Sequence, residues 1–139
     1  MMSFVIDASV AAAWLLPEEF TAEAEIIIGS ISATCPIPSL FWFEIRNILA
    51  MSERRGRIGP GDALVGMERI RRLPLDDAGI GSDGMVLLLS NKHVLSAYDA
   101  AYLALAMNRS LALATLDRKL AAAARKQDVQ VLGPFAHGD

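Results

Sequence analysis

Four acidic residues stand where a carboxylate is out of place. Asp7 ends the apolar run Phe4-Val5-Ile6, and Glu44 interrupts Leu40-Phe41-Trp42-Phe43-Glu44-Ile45. Asp99 lies inside Ala97-Tyr98-Asp99-Ala100-Ala101-Tyr102, and Asp117 follows Leu113-Ala114-Thr115-Leu116. Burying an isolated charge is costly, so acids in apolar settings are usually paired, protonated or bound to a metal. Acids cannot form ion pairs with one another, and a cluster of oxygen donors suits a hard divalent cation. Four ionised carboxylates about 5 Å apart would repel by roughly 3 kcal/mol per close pair at an effective dielectric of about 20. Such a pocket must take up a proton, spread apart or recruit a cation.

Each acid also has a purely structural reading. Asp117 suits the N-cap of a helix over residues 118–126. Ser96-x-x-Asp99 is a capping-box pattern. Asp7 can cap a helix at residues 8–16, with Ser9 as a competing cap. Glu44 has no cap to explain it: Phe41, Trp42, Phe43, Ile45, Ile48 and Leu49 crowd along its helix, and the alternative is a solvated stripe with Arg46 and Asn47. The four together are harder to dismiss than any one.

Around them stand weaker candidates. Ser9 and Thr115 each lie two positions from an acid, where a hydroxyl can orient a carboxylate or a metal-bound water; both also suit turns and caps. Asn47 is one helical turn beyond Glu44, facing the same cleft or serving structure alone. His93 and His137 are isolated from each other and from Cys35, so no ligand role is assigned to them. Trp14 and Trp42 are assigned to the core, and Met85 and Met107 to filling gaps.

The elements that must position these residues are short and alternate. Residues 4–7 read as a buried strand. Residues 8–16 read as a helix that stops at Pro17, because the residue before a proline avoids helical geometry. A second helix spans about 20–33, with Thr21 as cap. Residues 35–38 are too rich in proline for a central strand and read as a short extended segment. Ser39 is placed as the cap of a long helix to Arg55, ended by Gly56. Pro60 opens a helix to about 73, and residues 74–76 form a short strand. Residues 79–92 form a weaker helix, because Gly81 and Gly84 lower its propensity. A helix over 96–108, a strand over 111–115, a helix over 118–126 and a strand over 129–132 complete the pattern. Residues after Pro134 read as a tail. Strands alternating with helices imply an α/β domain whose mainly parallel sheet is covered on both faces. Ligands of such sheets bind beyond the carboxyl ends of the strands, where Asp7 and Asp117 fall.

Composition bounds the function. The 139 residues suit one domain, 1–139, with its core at about 4–132 and a tail at 134–139. With 53 % hydrophobic and 21 % charged residues, disorder is not expected. No apolar run reaches the roughly 18 residues of a membrane span, and Asp7 sits where a signal peptide needs apolar residues. Cys35 is the only cysteine, so no internal disulfide or zinc cluster can form, and it reads as a small core filler in a reducing cytoplasm. The net charge of −3 does not advertise nucleic-acid binding. Basic residues nevertheless cluster at Arg54, Arg55 and Arg57, at Arg69, Arg71 and Arg72, at Arg118 and Lys119, and at Arg125 and Lys126, where they can hold phosphates or complement helix dipoles.

The motifs Val5-Ile6-Asp7-Ala8-Ser9, Glu44-Ile45-Arg46-Asn47-Ile48-Leu49, Tyr98-Asp99-Ala100-Ala101-Tyr102-Leu103-Ala104-Leu105-Ala106 and Ala114-Thr115-Leu116-Asp117 resemble, in order and spacing, the PIN-domain family. Within it they resemble the VapC-type toxins of bacterial and archaeal toxin–antitoxin pairs, over about residues 4–132. The resemblance implies a PIN-like, Rossmannoid three-layer α/β/α sandwich with a mainly parallel five-stranded sheet of order 3-2-1-4-5. It implies a magnesium- or manganese-dependent endoribonuclease leaving a 5′-phosphate and a 3′-hydroxyl. It also implies a cognate antitoxin protein and a homodimer, becoming a heterotetramer or larger with the antitoxin. Asp7 and Asp99 are expected as principal metal ligands, with Glu44 and Asp117 completing the site directly or through water. Arg118 and Lys119, next to Asp117, are the expected RNA phosphate contacts. The competing readings are a housekeeping PIN-domain nuclease that processes RNA and a non-catalytic interaction module whose acids only cap helices. A haloacid-dehalogenase-like phosphatase would need an acid two positions after Asp7, where Ser9 stands.

Overall fold

The computed structural model describes residues 3–138. Five strands and seven helices alternate: β1 (Phe4–Ile6), α1 (Ala8–Leu15), α2 (Ala22–Gly29), β2 (Cys35–Ile37), α3 (Leu40–Arg54), α4 (Asp62–Ile70), β3 (Leu75–Asp77), α5 (Asp83–His93), α6 (Ala97–Arg109), β4 (Ala112–Ala114), α7 (Arg118–Lys126) and β5 (Val131–Leu132). A single 3-10 turn, Pro17–Glu19, follows α1. Among the described residues no helix is long and apolar enough to cross a membrane.

The strand pairs β1/β4, β4/β5 and β2/β3 are all parallel. Side chains alternate across β1: Val5 enters one apolar cluster, with Leu113, Leu103, Phe41, Ile45 and Leu120. Phe4 and Ile6 enter a second, with Ala24, Ile27, Ile28 and Cys35. A strand buried on both faces reads as an unbroken apolar run, which is why Phe4-Val5-Ile6 lacks the usual polar alternation. Helices cover both faces, as expected of the α/β/α arrangement.

The sheet is laid out as β3–β2 beside β1–β4–β5, but no ladder of hydrogen bonds joins β1 to β2 among the described residues. The cause lies in Pro36. Cys35 N–H donates to the Pro74 carbonyl at 2.9 Å, and Ala78 N–H donates to the Ile37 carbonyl at 2.8 Å, so positions 35 and 37 face β3. The intervening position turns toward β1, and as a proline it has no N–H to give. The expected extended segment is thus a true strand, laddered on one side only.

Local chemistry accounts for the other departures. Ser39 occupies the N-cap position of α3 in helical geometry without a side-chain cap bond; its hydroxyl donates instead to Asp77 Oδ1 at 2.6 Å. Helix α5 starts later than expected, because Gly79 sits at φ 88 and Ser82 Oγ caps the helix by accepting from Met85 N–H. Trp14 and Trp42 are only partly buried, with Arg69 and Arg71 stacked over their rings at 4.6 and 4.3 Å. Met85 does not fill a core gap: it is 39 % exposed, and with Met107 it lines a surface groove. The expected tail is folded back, with Phe135 partly buried against the core.

Candidate active site

Asp7 is the most constrained acid. It follows β1 directly, is 4 % exposed and caps α1 by accepting from the N–H groups of Ser9 and Val10. Its Oδ1 takes those two bonds, at 3.1 and 3.2 Å, and a third from the Ser9 hydroxyl at 2.6 Å. Its Oδ2 accepts from the Thr115 hydroxyl at 2.5 Å and keeps acceptor capacity. Burial pushes the Asp7 carboxyl up to about 6, against the lowering effect of Ser9, Thr115 and Val10, and the nearby Asp99 adds to the rise. Four hydrogen bonds therefore do not offset the loss of water around this charge.

The two hydroxyls flagged beside the acids connect the strand ends. Ser9 Oγ donates to Asp7 and accepts from Leu116 N–H at 2.9 Å. Thr115, fully buried, donates to Asp7 and accepts from Asp117 N–H at 3.0 Å. The carboxyl ends of β1 and β4 are thereby locked together, and the turn that presents Asp117 is fixed against Asp7.

Asp117 does serve as the N-cap of α7, accepting from Leu120 N–H at 2.8 Å, and its side chain is exposed. Asp99 N–H is likewise capped by Ser96 Oγ at 3.0 Å. The structural and electrostatic roles coexist, because a cap binds one oxygen and leaves the charge in place. Burial raises the Asp99 carboxyl above its ordinary range; the Asp117 charge raises it further, while Ser96 and Lys119 counter the rise. Glu44, on α3, is also raised by burial, with Asp99 adding and the Tyr102 hydroxyl opposing. Asp99 is thus the common electrostatic neighbour of Asp7, Glu44 and Asp117.

Tyr102 is the residue that sequence reasoning passed over. Its hydroxyl donates to Glu44 Oε1 at 2.6 Å, and its ring is 1 % exposed. Burial, with the hydrogen bond and charge of Glu44 and the charges of Asp7 and Asp99, holds the phenol far above its ordinary range. The available signal was spacing: Tyr102 lies one turn beyond Asp99 on α6. Asn47 is not brought in; it is exposed, and no hydrogen bond joins it to the acids among the described residues. Lys119 is exposed and acts on Asp99, whereas the Arg118 guanidinium lies 5.0 Å from the Phe135 ring centroid.

The donor chemistry fits a hard divalent cation: the mutually acting side chains are all oxygen donors, and no cation is among the groups acting on buried Asp7. Among the described residues, no three acidic, histidine or cysteine side chains converge closely enough to form a ready-made cage. Magnesium rarely needs one, since it is commonly held by one or two carboxylates, its own waters and substrate phosphates.

The comparisons agree with this arrangement of elements. The family model of the PIN domain matches residues 4–126. Ribonuclease VapC3 of Pyrobaculum aerophilum is 34 % identical over 125 residues, spanning 86 % of this chain and 93 % of that protein. Among solved structures, FitAcB from Neisseria gonorrhoeae superposes with a TM-score of 0.68 at 19 % identity, over 96 % of this chain and 99 % of that one. VapC20 of Mycobacterium tuberculosis, a sarcin-ricin-loop-cleaving toxin, superposes with a TM-score of 0.61 at 15 % identity, over 86 % and 94 % of the two chains. A match over nearly the whole fold, with acids gathered beyond the parallel strands, makes this chain a member of the PIN-domain family.

Proposed function

We propose that this protein is a cytoplasmic endoribonuclease of the VapC kind, the toxin of a type II toxin–antitoxin pair, working with magnesium or manganese on RNA. The observation that carries the reading is the coupling of Asp7, Glu44 and Asp117 through Asp99 at one edge of the sheet. The 34 % identity to a ribonuclease over most of both chains supports it. A cognate antitoxin protein and a homodimer belong to the same reading.

Asp7 and Asp99 are the principal ligands in this proposal, with Glu44 and Asp117 completing the site directly or through water. The ion, when bound, would polarise the scissile phosphate and lower the pKa of water. The chain supplies the rest. Thr115 and Ser9 hold Asp7 so that Oδ2 is the oxygen left to bind. Tyr102 fixes Glu44 through Oε1 and leaves Oε2 to accept the proton of the attacking water. Arg118 and Lys119 meet the flanking phosphates, whose charge an unscreened acidic pocket would repel.

The decisive experiment incubates single-stranded RNA with the native protein and with Asp99→Asn, with magnesium, with manganese and with chelator. Cleavage to 5′-phosphate and 3′-hydroxyl ends is expected only for the native protein with metal. RNA left intact by folded native protein in both metals would overturn the reading. Growth arrest on expression, relieved by the product of a neighbouring gene, separates a toxin from a housekeeping nuclease.

A further inference from the structure

Three aromatic side chains are exposed among the described residues: Phe20, Phe43 and Tyr98. Two of them immediately precede acids of the candidate site, Phe43 before Glu44 on α3 and Tyr98 before Asp99 on α6. Consecutive Cα atoms are about 3.8 Å apart, so each ring is rooted beside its acid. The hydrogen bond from the Tyr102 hydroxyl to Glu44, at 2.6 Å, holds the early turns of α6 against those of α3, so both rings border the same acidic pocket. Both stand largely in water: Phe43 is 62 % exposed and Tyr98 64 %, whereas Phe41 and Tyr102 on the same helices are buried. The Arg46 guanidinium lies over one face of Phe43, 4.9 Å from the ring centroid, and a ring this exposed keeps its other face open. The Tyr98 side chain makes no hydrogen bond or ring contact among the described residues.

We propose that Phe43 and Tyr98 are base-stacking platforms that seat unpaired nucleobases next to the scissile phosphate, so that the site takes single-stranded RNA. This rests on the endoribonuclease reading above. Every nucleobase has a flat π-face, so a ring that stacks on it recognises the unpaired state more than the sequence. In a duplex those faces are covered by neighbouring base pairs, and it is in single strands and loops that aromatic side chains reach them. The chain carries a net charge of −3, and its pocket is lined with acids that repel phosphate. Stacking supplies an attraction that does not depend on opposite charge.

The test uses the full chain with calcium in place of magnesium. Its probes are a labelled oligoadenylate, a strand of the same length with abasic riboses, and a fully paired RNA duplex. Anisotropy gives the Kd at several salt concentrations for native protein, Phe43→Ala, Tyr98→Ala, Phe43→Tyr and Tyr98→Phe. Each alanine variant should bind oligoadenylate at least about fivefold more weakly, the loss of one stacked base. The slope of log K against log salt should not change, since no phosphate contact is removed. On the abasic strand and on the duplex, native protein and alanine variants should bind alike. Phe43→Tyr and Tyr98→Phe keep the ring and should bind as native protein does.

Alanine variants with native affinity for oligoadenylate would overturn the proposal. So would a loss of equal size on the abasic strand and the duplex, or one that follows thermal stability and is shared by the variants that keep the ring. Native RNA affinity together with a lost complex with the neighbouring gene's product would assign the rings to a protein partner and overturn it as well. Cleavage by native protein is assayed in parallel with magnesium and with manganese. Cleavage together with indifferent alanine variants removes only the role of the two rings. Native protein that neither cleaves nor binds RNA removes the endoribonuclease reading, and this inference with it.

Discussion

The hydroxyl of Tyr102 donates to Glu44 Oε1 at 2.6 Å, joining α6 to α3 across the acidic pocket. One bond thus orients a carboxylate that burial and Asp99 both disfavour as an ion. Replacing Tyr102 with Phe keeps the ring and removes the donor. Glu44 should then bind protons more readily, and the acid limb of the activity profile should move to higher pH. Stability at neutral pH should fall by about 1–3 kcal/mol, as for a hydrogen bond to a charged group. Urea denaturation and a pH–rate profile of the same variant check both.

Asp7 carries a pH signature that runs opposite to ordinary acid denaturation. Its folded-state carboxyl is raised from 3.8 to about 6, so the folded protein binds the proton more tightly than the unfolded chain. Its contribution is therefore greatest below about pH 4, declines as pH rises toward 6, and is flat above that. The full displacement corresponds to about 3 kcal/mol. Metal-free native protein should lose stability between pH 4.5 and 7.5, and Asp7→Asn should lose distinctly less. Denaturant midpoints in chelator at the two pH values decide it; equal slopes would show that Asp7 ionises freely.

A divalent ion should reverse that loss. At ten times its Kd, an ion that binds only the folded protein stabilises by about 1.4 kcal/mol, or about 4–6 °C in a chain of this size. Melting of the native protein at neutral pH should rise by that order with magnesium or manganese. The rise should be much smaller in Asp7→Asn and Asp99→Asn. A native midpoint unmoved at millimolar metal would count against a metal site.

Asp117 allows its two roles to be separated. Asn caps helices as well as Asp does, whereas Ala removes the bond to Leu120 N–H and costs about 1 kcal/mol. Asp117→Asn should melt close to the native protein yet cleave RNA poorly. Asp117→Ala should lose both stability and cleavage. If Asp117→Asn cleaves as well as the native protein, the residue is a cap and nothing more.

The sequence carried the acids and the hydroxyls plainly because a charge in an apolar run is visible without knowing the fold. Asp7, Ser9, Thr115 and Asp117 prove to share one hydrogen-bonded junction, as spacing two apart at two strand ends suggested. Tyr102 was hidden because a tyrosine among alanines looks like core until the partner of its hydroxyl is seen. Asn47 shares a helix face with Glu44 by its spacing, yet it is exposed and makes no hydrogen bond to the acids among the described residues, so spacing alone gives it no role. Phe135 was read as tail because its anchors, Arg125 and Arg118, act through space. Pro36 argued rightly against a ladder, but only for the side of β2 that faces β1.

That missing ladder divides the acids unequally. Glu44 hangs from the helix that follows β2, while Asp7 and Asp117 follow β1 and β4, which are zipped together. The mouth between them is spanned by side chains such as the Tyr102–Glu44 clasp, and no strand ladder joins β1 to β2 among the described residues. The half that carries Glu44 is therefore tied to the half that carries Asp7 by side-chain packing and by that clasp, not by a strand ladder.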